Sequence, residues 1–341
     1  MPLVSIVIPV YNLENYISMT LESIESQSFK DYEIILVDDG SKDNSCMKIE
    51  SFFIGKNINY TLIKRTNGGV SRARNIGLNT STGKYVLFID GDDSLEATAL
   101  EKMVKKIEEH KADICHCGYY EFQENSGKVT YRYSNNKSYI QEPLPGPMAL
   151  EKKLKKEIWV CTGNALYNKK MLLENQLQYS EGFSYGEDAE FIGKCLYNSK
   201  IVTGVSEDLT KLMVRKTSAM NTAFSEKYCD ALKANRRLWD YISSVHLNGQ
   251  AMPKENLKLL LDYDYINIYL SIAKWIYDEY GIFEVFKANK KFNKLSLNLY
   301  YADVENVLSN IKNLKTFEVK VFLTSKFLYF YLCKVFKRLR G

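Results

Sequence analysis

The sequence predicts an α/β fold: a doubly wound mixed sheet flanked by helices, with a helical region added at the C-terminal end. Three observations lead there. Short apolar runs and stretches with helical spacing alternate four times within about the first 100 residues. Two of the apolar runs end in paired aspartates. Beyond about residue 225 the apolar residues recur only at helical spacing. A chain of 341 residues has room for one large domain and an appendage, or for two modest domains. The change in character sets the division at 1–220 and 221–341.

The elements follow in order. LVSIVIPV at 3–10 is nearly all apolar and stops at Pro9 and Asn12, the pattern of a strand buried on both faces. Ile17, Leu21 and Ile24 recur one helical turn apart and predict a helix over 14–27. YEIILV at 32–37 is a second buried strand, ending at Asp38-Asp39-Gly40-Ser41, and a helix starts near Asp43. Residues 59–63 form a third strand, Asn67-Gly68-Gly69 a loop, and Ser71 to Leu78 a helix. KYVLFI at 84–89 is the fourth strand; it runs into Asp90-Gly91-Asp92-Asp93, and a helix follows over 95–110. In such sheets ligands sit beyond the carboxyl ends of the strands. Both acidic clusters therefore come to one rim.

Further along, 113–122 reads as another strand. The polar stretch 134–147 carries Pro143, Pro145 and Pro147 and is a connector or a loop over the site. Phe191, Ile192, Cys195 and Leu196 share one side of a helix over 187–198. Two long helical segments, 225–246 and 253–280, are separated by a polar break around Gly249 and Pro253. There is no internal repeat.

Composition narrows the function. With 45% hydrophobic and 26% charged residues the chain is in the range of soluble globular proteins. A net charge of +5 is too mild to indicate a nucleic-acid partner. Seven Cys and three His show no zinc-type spacing, which suits a reduced, cytoplasmic protein with buried thiols. Nothing at the N-terminus resembles a signal peptide, and the run 3–10 is too short to span a bilayer. The 25 Tyr and 16 Phe suit either carbohydrate contacts or an aromatic-rich core.

The chemistry concentrates at the strand ends. Asp90, Asp92 and Asp93 are three carboxylates in four residues, and they repel one another. A divalent cation with oxygen ligands, its shell completed by phosphate, relieves that repulsion. Gly91 lets a ligand approach the backbone. The same residues also make a good helix entry. Asp38 and Asp39 suit a base or ribose, or another helix entry. Asn67 to Asn75 supplies a glycine pair and two arginines, enough to cover a nucleotide or to form an ordinary turn. No G-x-G-x-x-G follows the first strand and no G-x-x-x-x-G-K-[ST] occurs, which disfavours a dinucleotide dehydrogenase or a P-loop NTPase.

Together, SIVIPVYN, VDDGSKDNS, NGGVSRARNIGL and GKYVLFIDGDD resemble, in order and spacing, the N-terminal half of family 2 glycosyltransferases of the GT-A fold. The resemblance covers about 3–220 and is specific at 3–95. It implies a UDP-sugar donor, a Mn²⁺ or Mg²⁺ ion and inversion at the anomeric carbon. It places Pro9, Tyr11 and Asp39 around uridine with Asp38 close by, and Asn67, Gly69 and Arg72 in the loop over the nucleotide. Asp90 and Gly91 are placed at the ribose or donor sugar. Asp92 is the implied metal ligand, with Asp93 as the alternative. Gly186-Glu187-Asp188 resembles the family's Glu-Asp motif, with Asp188 as general base; the same acids also suit a helix start. Trp159, Gly163 and Glu187 fall where the family shapes its sugar and acceptor pocket. Arg215 lies in a segment usually richer in Tyr and His; here it is suited to neutralising pyrophosphate, and a His ligand is missing.

The implied acceptor is a glycan or a glycoprotein. Residues 316–341 are aromatic, apolar and basic, but Lys320, Lys326 and Lys334 interrupt them. That pattern fits a helix on an anionic membrane surface, giving a peripheral location, or one packed on the protein itself. Two competing readings are a nucleotidyltransferase and a non-catalytic sugar-nucleotide-binding protein. The first lacks its glycine-rich phosphate loop, and the second leaves the retained aspartates and Asp188 without a role.

Overall fold

In the computed structural model the residues described are 1–215, 226–245 and 253–280. Three strands form the centre: β1 (Val4–Val10), β2 (Tyr32–Asp38) and β4 (Tyr85–Phe88), every residue of which is buried. They pair in parallel, with β3 (Tyr60–Lys64) on the outside of β2, in the order β3-β2-β1-β4. Helices cover both faces, so these strands are apolar at successive positions rather than alternating.

The period of two along β1 sorts the two cores. Ile6 and Ile8 meet α1 (Ile17–Glu25), α2 (Ser45–Phe53) and α4 (Ala99–Glu109) through Ile17, Leu21, Ile49 and Met103. Val7 faces the opposite core, which holds Leu78 of α3 (Val70–Thr80) and Leu150 of α5 (Gly146–Leu154). Phe191 and Leu196 of α7 (Glu187–Asn198) lie in the same core. Each expected element of the first 125 residues is present, with ends shifted by a few residues as fraying and capping allow.

The sheet continues with reversed direction. β8 (Ala165–Asn168) pairs antiparallel with β4 and with β6 (Ile114–Gln123). β9 (Val202–Val214) runs parallel to β6, and β5 (Ser94–Leu95) adds to its edge. β7 (Val129–Arg132) forms a hairpin with β6. The sheet is therefore mixed, as expected.

The proline-rich stretch 134–147 is a connector. Leu144 pairs with Val202, and the chain enters α5 with Pro147 in the first turn, where its missing N–H costs nothing. α6 (Lys169–Glu174) follows β8 directly. α8 (Asp230–Ser244) and α9 (Lys254–Tyr280) bring Leu238, Ile242, Leu257 and Leu261 into the same core as Val7 and Phe191. Arg237 of α8 also reaches the buried Glu190 of α7 at 2.6 Å.

The tyrosines go largely to packing: Tyr85, Tyr133, Tyr197, Tyr265 and Tyr269 are among the largest fully buried side chains. Among the described residues Cys115, Cys117, Cys195 and Cys229 are buried free thiols. Among the described residues no helix is long and apolar enough to cross a membrane. The basic aromatic stretch 316–341 lies outside the described residues.

Candidate active site

Parallel pairing of β1, β2 and β4 delivers their carboxyl ends to one rim. The register sets Val10 beside Asp38, and the Asp39 N–H donates to the Val10 carbonyl at 2.8 Å. Pro9 is buried within β1, whereas Tyr11, just past it, is half exposed. Asp39 is 3% exposed, and both its oxygens are used: Oδ1 accepts from the Gly68 N–H at 2.9 Å and Oδ2 from the Gly69 N–H at 2.8 Å. Arg65 stands 3.5 Å from the same carboxylate. One buried carboxylate thus fastens the glycine loop to the end of β2. Asp38 accepts from the Ser41 N–H at 3.1 Å. The Cys46 thiol is pushed up to about 11 by burial and the nearby Asp38. Asn67 and Gly69 of the loop and Arg72 in the first turn of α3 are exposed, and Arg72 meets Glu181 only at 4.0 Å.

The three aspartates after β4 point three ways. Asp90 pairs with Arg74 at 2.7 Å. Asp92 pairs with Arg215 at 2.6 Å, and the Arg215 guanidinium also lies over the Tyr16 ring at 4.7 Å. Asp93 turns inward, and its Oδ1 accepts from the Met213 N–H of β9 at 3.0 Å. Burial and the Asp90 charge raise the Asp92 carboxyl above the usual range, against the pull of Arg215. Asp93 is raised further, by burial and then by Asp92 and Asp90. Asp93 is thereby tied to the scaffold, while Asp92 faces a cation at the rim. Gly91 is buried, and a Cβ there would come within 2.6 Å of Leu13 and 3.2 Å of Ile17. The space that a side chain would need is used by Leu13 and Ile17.

The second acidic element comes from α7. Its N-cap, Gly186, has φ +81° and lies against α8. Glu187 and Asp188 follow in the first helical turn, where the helix dipole favours negative charge. Glu187 is buried and 3.5 Å from Arg74. Burial and the adjacent Asp188 raise the Glu187 carboxyl, and Arg74 offsets part of that. Asp188 is half-buried, its Oδ1 accepting from the Ala189 N–H at 2.7 Å.

Arg74 was not among the residues the sequence singled out; Arg72 was. The signal was present, because Arg74 stands one helical turn before the core residue Leu78. Lys153 of α5 is another. It is buried, its ammonium lies 5.0 Å from the centre of the exposed Trp159 ring, and burial lowers its pKa while the Asp188 charge raises it. The turn after Trp159 is held by Asn164, whose Nδ2 donates to the carbonyls of Cys117 and Trp159 at 2.9 and 3.1 Å. The Gly163 carbonyl accepts from the Thr210 hydroxyl at 2.9 Å.

Among the described residues no three His, Cys, Asp or Glu side chains gather as a metal cage. The site instead pairs Asp92 with the Arg215 guanidinium, with Asp90 close enough for mutual repulsion. That donor set fits a hard divalent ion held by one or two carboxylates and completed by phosphate and water.

Comparison with known proteins places this geometry. The profile of glycosyl transferase family 2 matches residues 5–175, half of the chain. Glycosyltransferase GlyA of Streptococcus pneumoniae is 34% identical over 234 residues, 67% of this chain but 33% of GlyA, so the chain spans about a third of that relative. Two solved structures share the fold. Staphylococcus aureus TarS 1–349 in complex with UDP-GlcNAc has a TM-score of 0.64 at 23% identity, covering 80% of this chain and 73% of that one. The mannosyltransferase PcManGT of Pyrobaculum calidifontis, in complex with GDP-Man and Mn²⁺, has a TM-score of 0.52 at 18% identity, over 80% and 72%. The mixed GT-A sheet, the acidic strand ends and the matching profile agree: the chain belongs to glycosyl transferase family 2.

Proposed function

We propose that the protein is an inverting, metal-assisted glycosyltransferase that moves a hexose or N-acetylhexosamine from a UDP-sugar to a hydroxyl of a glycan or glycoprotein. One observation carries the reading. Asp90 beyond the end of β4 and Glu187 at the start of α7 are joined through Arg74, with Asp92, paired to Arg215, and Asp188 beside them. The structure known for TarS with UDP-GlcNAc supports a UDP-sugar as donor class.

In this reading Asp39 and the loop it fastens border the uridine, with Pro9, Tyr11 and Asp38 beside them. Asp90 takes the ribose or donor sugar. A Mn²⁺ or Mg²⁺ ion, when bound, neutralises the diphosphate and makes it a better leaving group. Asp92 would hold that ion, and Arg215, which pairs with Asp92 at 2.6 Å, would share the diphosphate charge. Asp188 accepts the proton of the acceptor hydroxyl. The freed oxygen attacks the anomeric carbon from the face opposite the nucleotide. The bond from that carbon to the diphosphate oxygen breaks, and its electron pair leaves with UDP. A base so placed contributes about 10²–10⁴-fold. Trp159, Gly163 and Glu187 border the sugar and acceptor, and α8 and α9 buttress the helix that carries Asp188.

The test is a panel of UDP-sugars incubated with the full chain, with and without Mn²⁺ or Mg²⁺, reading released UDP. Metal-dependent release of UDP and free sugar is expected. In a parallel incubation, release of pyrophosphate from UTP and a sugar 1-phosphate, with no UDP released from any UDP-sugar, points to a nucleotidyltransferase. Binding without turnover of any donor points to a non-catalytic sugar-nucleotide-binding protein.

A further inference from the structure

We infer that Arg74 is a positioning residue that couples the donor-side carboxylate Asp90 to the Glu187-Asp188 turn. This rests on the reading of Asp188 as base. The side chain is 5% exposed and leaves α3, an element that supplies neither carboxylate. One nitrogen, Nη2, sits 2.7 Å from Asp90 at the end of β4. The other, Nη1, sits 3.5 Å from Glu187 in the first turn of α7. The guanidinium also lies 5.0 Å from the centre of the Tyr179 ring. Burial opposes its charge, yet the carboxylates, Asp90 above all, hold it firmly protonated.

Nε and Nη1 are buried without a hydrogen-bond acceptor. A buried donor left unspent is costly, so the group is not explained by packing alone. A planar guanidinium holds its donors in a fixed fork toward two carboxylates from different elements; an ammonium is a point charge with rotatable donors and does not fix their relative geometry. The chain from Asp90 through Arg74 to Glu187 therefore sets where α7 begins relative to β4. Asp188 is the next residue on that turn.

The experiment uses the full chain, the UDP-sugar that wild type turns over fastest, and water as acceptor. Arg74→Met is expected to lower turnover by about 100-fold, the scale of a misplacement near 1 Å, while calorimetric UDP affinity stays unchanged. Glu187→Gln is expected to show the same split, and Arg74→Met/Glu187→Gln to be no worse than either alone. Arg74→Lys keeps the charge and the fold and is expected to stay well below wild type; it carries the test if Arg74→Met does not fold. The inference is overturned if the two losses multiply, if UDP affinity falls in step with turnover, or if Arg74→Lys is fully active. If wild type releases no UDP, or Asp188→Asn matches it, the reading of the site fails and this inference falls with it.

Discussion

Gly186→Ala strikes the joint between the helical region and the candidate base. Gly186 has φ +81°, a backbone conformation that costs an ordinary L-residue roughly 1–2 kcal/mol. A Cβ there would also lie 2.9 Å from the Ala231 Cα and 2.9 Å from the Ala234 Cβ of α8, closer than such atoms approach. Relief requires α7 and α8 to part by several tenths of an ångström, an overpacking that costs about 1–3 kcal/mol. The sum is about 2–5 kcal/mol, and the strain falls on the residue before Glu187 and Asp188. The expected result is a lower thermal midpoint, turnover reduced toward the 100-fold scale of about 1 Å displacements, and UDP affinity kept, because the proposed uridine side is built on β1, β2 and the glycine loop. Adding Ala234→Gly removes one of the two closest contacts and should recover part of the stability. Wild-type stability and turnover in Gly186→Ala would refute the seating of α7 on α8 as the device that places Asp188.

The other predictions test separate parts of the account. Asp92→Ala should abolish metal-dependent UDP binding, read by calorimetry with and without Mn²⁺; unchanged affinity would remove Asp92 from the metal site. Glu33 is buried in β2 and accepts from the Ser5 and Thr82 hydroxyls and the Thr82 N–H at 2.6–2.8 Å. Burial works against its charge, but these bonds hold its carboxyl below the usual range. The stabilisation it provides is then present above the unfolded carboxylate pKa of about 4.3 and is lost as pH falls through the lower folded value; Glu33→Gln should flatten that part of the acid unfolding curve, and an unaltered curve would contradict the assignment. Deleting residues 316–341 should release the protein from anionic liposomes at low salt while sparing UDP-sugar turnover; full-length protein that stays in the supernatant would end the membrane proposal.

The first half of the fold was legible because its strands are buried on both faces, so each reads as an unbroken apolar run between turn residues. β8 was not, because four residues, ALYN, carry no period. β9 was not, because SEDL and the lysine after it break the apolar pattern where the strand shifts register against β6. At the site, the paired aspartates marked the rim. Which of Asp92 and Asp93 looks outward depends on the Met213 N–H of β9, some 120 residues away in sequence. Gly91 has a packing reason the sequence did not show: Leu13 and Ile17 fill the space a side chain would take. Arg74 was hidden by its charge: guanidinium groups are usually solvated, and only the two carboxylates from β4 and α7 show why this one is inside.

The central claim is that Asp188 removes the acceptor proton while the donor is bound elsewhere on the rim. Single-turnover release of UDP by Asp188→Asn, measured beside its calorimetric affinity for UDP with Mn²⁺, tests it most directly. Asn preserves the shape of the side chain and removes its capacity to take a proton. The account predicts wild-type UDP affinity and a rate lower by about 10²–10⁴-fold. A near wild-type rate at wild-type affinity would contradict it and shift the role of base to Glu187.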